Sequence, residues 1–169
     1  MPPEALSASR AYLLDTTHCS DLLKGEPSVR SRLEQLSDAR ISTTVISRGE
    51  LTFMAENSKR VEQNLSSARA LLRGMEVIEI DHDIADVYGR IKAALCRHFA
   101  PRDSQKSERY DVRKLGISDN DLWIAAVALR YGHTLVSADS DFQRIKQVIG
   151  LEVEQWRPPQ AGGAGSGPD

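Results

Sequence analysis

Carboxylates punctuate the apolar runs of this chain. Asp15 closes "AYLLD", Glu50 follows "RISTTVISRG", Asp121 opens "DLWIAAVAL", and Asp139 and Asp141 follow "HTLVSA". Acids of this kind, once gathered, hold a hard divalent cation. Mg²⁺ and Mn²⁺ take carboxylate oxygens plus water and keep waters free for chemistry. The reaction that suits such a centre is phosphodiester hydrolysis: the metal activates a water and stabilises charge on phosphate oxygens. A nearby carboxylate orients that water or takes its proton. Zinc is not indicated, because His18, His82, His98 and His133 show no H-x-x-x-H spacing.

The elements that must bring these acids together alternate along the chain. "AYLL" (11–14) reads as a short buried strand. "HCSDLLKG" makes a helical turn or two stopped at Gly25. Pro27 opens a second helix through about Leu36, with Val29, Leu33 and Leu36 on one face. "RISTTVIS" is β-branched and reads as a strand. From Ser47 the pattern turns helical, with Leu51, Met54 and Ala55 sharing a face. A further helix covers roughly 58–73, with Val61, Leu65, Ala68 and Leu72 in phase, and stops at Gly74. "MEVIEI" is a strand. A helix from Asp81 to about His98 carries Ile84, Val87, Ile91 and Leu95. After a polar loop, 99–117, come a helix (118–131), the strand "HTLVS", the short helix "DSDFQRIKQV" and the strand "LEVEQW". The alternation predicts an α/β fold, a three-layer α/β/α domain with a central, mainly parallel sheet. The strands are continuous apolar runs, as expected when both faces are covered.

In such a sheet, ligands bind beyond the carboxyl ends of the strands. Asp15 and Asp139 directly follow strands. Glu50 is expected in the first turn of the helix after the second strand. Asp121 opens a helix that returns antiparallel to the strand it feeds, so it reaches the same edge. Each acid has a local alternative. Ser47-x-x-Glu50 and Ser118-x-x-Asp121 fit capping boxes. Asp15-Thr16-Thr17 fits a strand-end Asx-turn, Asp139-x-Asp141 a turn and helix cap, and Asp81 an N-cap. Taken together, four acids on one rim repel and raise each other's pKa unless a positive charge intervenes. No Lys or Arg abuts Asp15 or Asp121 in sequence, and a divalent cation would serve.

The bulk numbers set bounds. A chain of 169 residues suits one domain with a substantial core. A net charge of −2 excludes a global basic field, so a nucleic-acid role needs a local basic surface. The loop 99–117 offers one: with Arg97 and His98 just before it, it brings Arg102, Lys106, Arg109, Arg113 and Lys114 against Asp103, Glu108 and Asp111. It grips RNA phosphates or is simply solvated. Cys19 and Cys96 form no C-x-x-C pattern and read as free thiols of a reducing compartment. No leader is visible and no apolar run approaches the ~20 residues of a membrane span. A cytoplasmic protein is expected. Residues 1–10 read as a flexible N-terminus, 11–157 as the domain, and 158–169 ("PPQAGGAGSGPD" from 158) as a disordered tail.

"YLLDTTHCSDLL", "STTVISRGELTF", "ISDNDLWIAAVAL" and "HTLVSADSDFQRI" resemble the successive motifs of PIN domains. The ending "LEVEQW" is similar to that of VapC-type PIN toxins of bacterial toxin–antitoxin pairs. The resemblance spans about residues 11–156. It implies an α/β/α PIN fold and a Mg²⁺- or Mn²⁺-dependent endoribonuclease. By position, Asp15, Glu50, Asp121 and Asp139 match the family's acidic quartet, with Asp141 a second candidate for the last place. Thr16 and Ser137 match the small hydroxyl residues that bond to the acids. Thr17 departs from the Asn that many members carry there, and the loop 99–117 is longer and more polar than in many small members. The resemblance further implies a homodimer, a small VapB-like antitoxin as inhibitor and RNA as substrate. Trp123 and Trp156 are expected in the core, with a partner-facing Trp123 as the alternative.

Two other classes compete. A haloacid-dehalogenase-type phosphatase also begins strand-Asp, but its motif needs a second Asp where Thr17 stands. The other is a PIN-domain protein with a non-toxin RNA-processing role, or a non-catalytic binding module. The complete acid set argues against the latter.

Overall fold

A computed structural model describes residues 10–100 and 112–158. The flexible N-terminus expected over 1–10 lies outside these residues except for Arg10. So do the basic-loop residues 101–111 and all but Pro158 of the expected tail.

The chain runs β1 (Ala11–Leu14), α1 (Thr16–Lys24), α2 (Pro27–Glu34), β2 (Arg40–Thr44), α3 (Val45–Glu56), α4 (Val61–Arg73), β3 (Glu76–Ile78) and α5 (His82–Phe99). A 3₁₀ turn (Val112–Leu115) then leads to α6 (Asp119–Tyr131), β4 (Thr134–Val136), α7 (Ser140–Lys146) and β5 (Val153–Glu154). The sheet order is β3-β2-β1-β4-β5, and every neighbouring pair is parallel. The chain thus winds outward from β1 in one direction through β2 and β3. It then returns to the other side of β1 for β4 and β5. The switch falls between β1 and β4, where open α/β sheets leave a crevice.

Pleating divides the core in two. Leu13 and Leu135 point to one face, where α5, α6 and α7 supply Ile84, Val87, Ile91, Leu95, Leu122, Ile124, Phe142 and Ile145. Tyr12, Leu14 and Val136 point to the other, against Cys19, Val29, Leu51, Ala68 and Leu72 from α1 to α4. This is the expected three-layer α/β/α arrangement. β2, beside the central strand β1, is the polar exception, and its buried hydroxyls are satisfied by β1 carbonyls. Ser42 Oγ donates to the Tyr12 carbonyl at 3.0 Å, and Thr43 Oγ1 to that of Leu14 at 2.9 Å.

Several expected boundaries move. β2 stops at Thr44, because the Thr44 hydroxyl accepts the Ser47 N–H at 3.0 Å and caps α3. The β-branched Val45 and Ile46 are therefore helical, Ser47 is not an N-cap, and Glu50 lies in the second helical turn rather than the first. Met54 is 44% exposed and does not share the buried face of Leu51 and Ala55. The stretch 112–117 is less polar in place than in composition: Val112 and Ile117 are buried in the core. Arg97 and His98 belong to the last turn of α5. Both cysteines are free. Burial pushes the Cys19 thiol up to about 12, so it stays protonated. Trp156 is buried against Tyr12, whereas Trp123 is half-buried and stacks on Tyr88, ring centroids 3.9 Å apart.

Candidate metal centre

At the β1/β4 switch, beyond the carboxyl ends of the strands, a cleft of about 360 Å³ is lined by Asp15, Glu50, Asp121 and Asp139. Thr16, Thr17, Ser118, Phe53 and Met54 complete its nearer walls. Each acid arrives by a different route. Asp15 ends β1 and caps α1, its Oδ1 accepting the His18 N–H at 2.7 Å. Glu50 comes from α3 across the cleft. Asp121 sits in the first turn of α6, whose N-cap Ser118 accepts the Asp121 N–H at 3.1 Å. Asp139 caps α7 by accepting the Asp141 N–H at 2.8 Å. The capping roles of Asp15, Asp139 and Ser118 are therefore real. Capping fixes these side chains at the cleft instead of competing with it. Asp81 is a cap and nothing more in this arrangement, holding the Ile84 N–H at 2.8 Å at the start of α5.

The acids are not evenly spaced. Asp121, Asp139 and Asp141 each offer an oxygen, and these oxygens lie within 4.8 Å of one another. Asp15 and Glu50 face the same cleft outside that trio. Burial pushes the Asp121 carboxyl above its ordinary range, and the charges of Asp139, Asp141 and Glu50 push it further. The Ser118 hydroxyl, donating to Asp121 Oδ2 at 2.6 Å, works against them. Asp141 is partly spoken for, because Arg144 Nη1 pairs with its Oδ1 at 3.1 Å. Asp139 lines the cleft directly. Carboxylates gathered with mutual repulsion left over suit a hard divalent cation.

The supporting residues differ in what they do. Thr16 Oγ1 donates to Glu50 Oε2, as a hydroxyl support should. Ser137 does not touch a carboxylate. It is fully buried, and its Oγ accepts the Asp139 backbone N–H at 3.0 Å, shaping the turn instead. Two further residues had no place in the sequence reading of the acid set. Asn120 Nδ2 donates to Glu50 Oε1 at 2.7 Å. His18 is fully buried, with ring Nδ1 3.0 Å from Asp15 Oδ1. Buried in this way, it is out of reach of a substrate. Its i+3 spacing from Asp15 was the available signal. Asn120 had only its place inside "SDND". Among the remaining described acids of that segment, Asp119 turns away to Lys92 Nζ at 2.8 Å and the Tyr88 hydroxyl at 2.6 Å. These bonds, Lys92 first, hold its carboxyl below the ordinary range.

The sequence profile of the PIN domain matches residues 12–148. The chain belongs to the PIN domain family. This PIN domain is 27% identical over 146 residues to the tRNA(fMet)-specific endonuclease VapC of Salmonella typhimurium, an alignment that covers 86% of this chain and 97% of the relative. It is 29% identical to ribonuclease VapC2 of Haemophilus influenzae over the same shares. In structure it is similar to a chain of VapBC2 from Rickettsia felis, solved bound to a DNA fragment from the promoter. The TM-score is 0.69 at 26% identity, covering 87% of this chain and 99% of that one.

Proposed function

We propose that this PIN domain is a divalent-metal-dependent endoribonuclease, the toxin of a toxin–antitoxin pair that hydrolyses phosphodiester bonds of RNA. The observation that carries the reading is the convergence of Asp15, Glu50, Asp121 and Asp139 from four separate elements on one cleft. The names of its relatives, two VapC ribonucleases, and its likeness to a VapBC complex support the same reading.

In this reading Asp15, Glu50, Asp121 and Asp139 hold Mg²⁺ or Mn²⁺, with Asp141 as a further ligand beside them. A bound cation of this kind supplies Lewis acidity to a phosphate oxygen and lowers the pKa of a coordinated water. Thr16 and Asn120 keep the Glu50 carboxylate in one orientation by holding both of its oxygens. Ser137 and Ser118 fix the backbone and side chain of the acids next to them. Asp139, the exposed member of the trio, is the carboxylate that takes the proton of the attacking water. Water adds to phosphorus, the bond to the departing nucleotide oxygen breaks, and a solvent water protonates that oxygen.

The partners follow from the same face of the molecule. α1, α3 and α4 border a groove lined by Leu23, Leu51, Met54, Ala55 and Ala68, with Leu23 and Met54 exposed at its rim. Phe53, 68% exposed, continues the apolar surface to the cleft. A VapB-like antitoxin segment seated there would reach the acids and block them, and a second copy of the chain pairs beside it as a homodimer. No helix among the described residues is long and apolar enough to cross a membrane. The protein acts in the cytoplasm, where RNA and antitoxin are made.

The test is cleavage of RNA by the purified protein with Mg²⁺ or Mn²⁺, with EDTA, and with Asp15→Asn under matched folding by circular dichroism. Cleavage that depends on the metal and on Asp15 is expected. Cleavage that survives both EDTA and the substitution would overturn the reading. For the partner, Leu23→Asp should release the nuclease from inhibition by the co-expressed antitoxin.

A further inference from the structure

We propose that His18 is the positioning residue of the acidic cleft: its ring Nδ1–H, together with its own backbone N–H, clamps Asp15 Oδ1 and leaves the second oxygen to the metal. The proposal rests on the metal-centre reading above. Three observations carry it. Both donors fall on the same oxygen, the backbone N at 2.7 Å and Nδ1 at 3.0 Å. His18 is fully buried and Asp15 is 3% exposed, so no solvent competes for either bond. The ring is closed off from behind by Trp156, edge-on at 89° with centroids 6.5 Å apart, and Trp156 is itself packed on Tyr12 of the central strand.

The chemistry of the pair determines the tautomer. An ionised carboxylate can only accept, so Nδ1 must carry the hydrogen. Nε2 is buried and has no hydrogen-bond partner among the described residues. A hydrogen there would be an unsatisfied buried donor, the rarer and costlier kind of orphan. The ring is therefore the Nδ1–H tautomer, its Nε2 lone pair left buried without a donor among the described residues. A Leu of similar size would fill this space without an orphan nitrogen. Packing alone does not call for an imidazole here, whereas the bond to Asp15 does. The C-terminal segment keeps the ring in place: Arg157 forks onto the buried Asp21, one turn further along α1, and so holds Trp156 over His18. A carboxylate restrained by two donors presents a metal with one orientation, and supporting partners of this kind tune metal affinity.

The experiment compares Mn²⁺ binding, followed by electron paramagnetic resonance, in the full-length protein and in His18→Leu, His18→Asn and Asp15→Asn. The Asn amide nitrogen occupies the place of Nδ1 and Leu has no donor. His18→Leu is expected to weaken Mn²⁺ binding by about 10–100-fold, with kcat falling and KM for RNA little changed, and His18→Asn to recover most of the loss. Wild-type affinity in His18→Leu, or equal loss in both His18 variants, overturns the proposal. Should His18→Leu fail to fold, ¹⁵N correlation spectra of the wild-type imidazole decide: the Nδ1–H pattern is expected and an Nε2–H pattern overturns it. If Asp15→Asn keeps full Mn²⁺ affinity, the metal-centre reading fails. If only Asp15→Asn loses it, the role of His18 alone falls.

Discussion

Asn120 Nδ2 donates to Glu50 Oε1 at 2.7 Å, tying the first turn of α6 to the second turn of α3 across the mouth of the cleft. Glu50 has a long, freely rotating side chain, and the bond restricts it where its charge is wanted. Thr16 holds the other oxygen. Asn120→Ala should therefore lower RNA cleavage by about 10–100-fold, the scale for a lost supporting partner of a metal ligand. Thr16→Val should behave alike. Asn120→Asp, which sets a like charge against Glu50, should do worse than Asn120→Ala in the same kcat measurement.

Asp121 titrates high because it is buried among acids. The sign follows directly. A carboxyl whose folded pKa exceeds its unfolded value contributes stability below the ordinary carboxylate pKa of about 3.9 and loses it as pH rises through the folded value. At neutral pH the metal-free protein carries that cost. Asp121→Asn should melt above wild type near neutral pH without metal, with the gap closing as pH falls toward about 4. Mg²⁺ should raise the wild-type melting temperature and leave that of the variant nearly unmoved. Differential scanning calorimetry across pH reads both effects.

Asp139 and Asp141 separate on their partners. Asp141 is paired to Arg144, while Asp139 faces the cleft. Asp139→Asn should reduce kcat/KM by about a thousandfold, as expected when several kcal/mol of charge stabilisation is removed. Asp141→Asn should cost about tenfold or less, because its carboxylate is shared with a guanidinium. Equal losses would return Asp141 to equal standing.

Arg157 pairs with Asp21 through two guanidinium nitrogens, and Asp21 is 4% exposed. Arg157→Met should lower stability by about 1–3 kcal/mol, since the buried carboxylate loses its donors. Removing both charges with Asp21→Asn and Arg157→Met should recover part of the loss. Urea unfolding of the three proteins measures the coupling.

Much of the fold is written locally. Ile84, Val87, Ile91 and Leu95 recur at helical spacing, and all four are buried in α5. Gly25 and Gly132 end α1 and α6 in the left-handed conformation that Gly adopts without a side-chain clash. The end of β2 is not legible locally, because "STTVIS" carries one β-branched run through both strand and helix. Only the hydroxyl of Thr44, accepting from Ser47, divides them. Met54 lies outside the buried face for a related reason, since helical periodicity says which residues share a face but not how wide a face the neighbouring layer covers.

The sequence by itself determined the acids, their order, and the strand ends and helix starts on which they sit, because caps and apolar periodicity are near-neighbour properties. It also carried the topology class, since parallel strands joined by helices bring those ends to one edge. What only the tertiary structure decided was the pairing of side chains across the cleft. Asn120 meets Glu50 from 70 residues away, Arg144 claims one oxygen of Asp141, and His18 turns inward onto Asp15. Those outcomes depend on side-chain directions at a distance of a few ångströms, set by how the layers pack, and no local pattern encodes them.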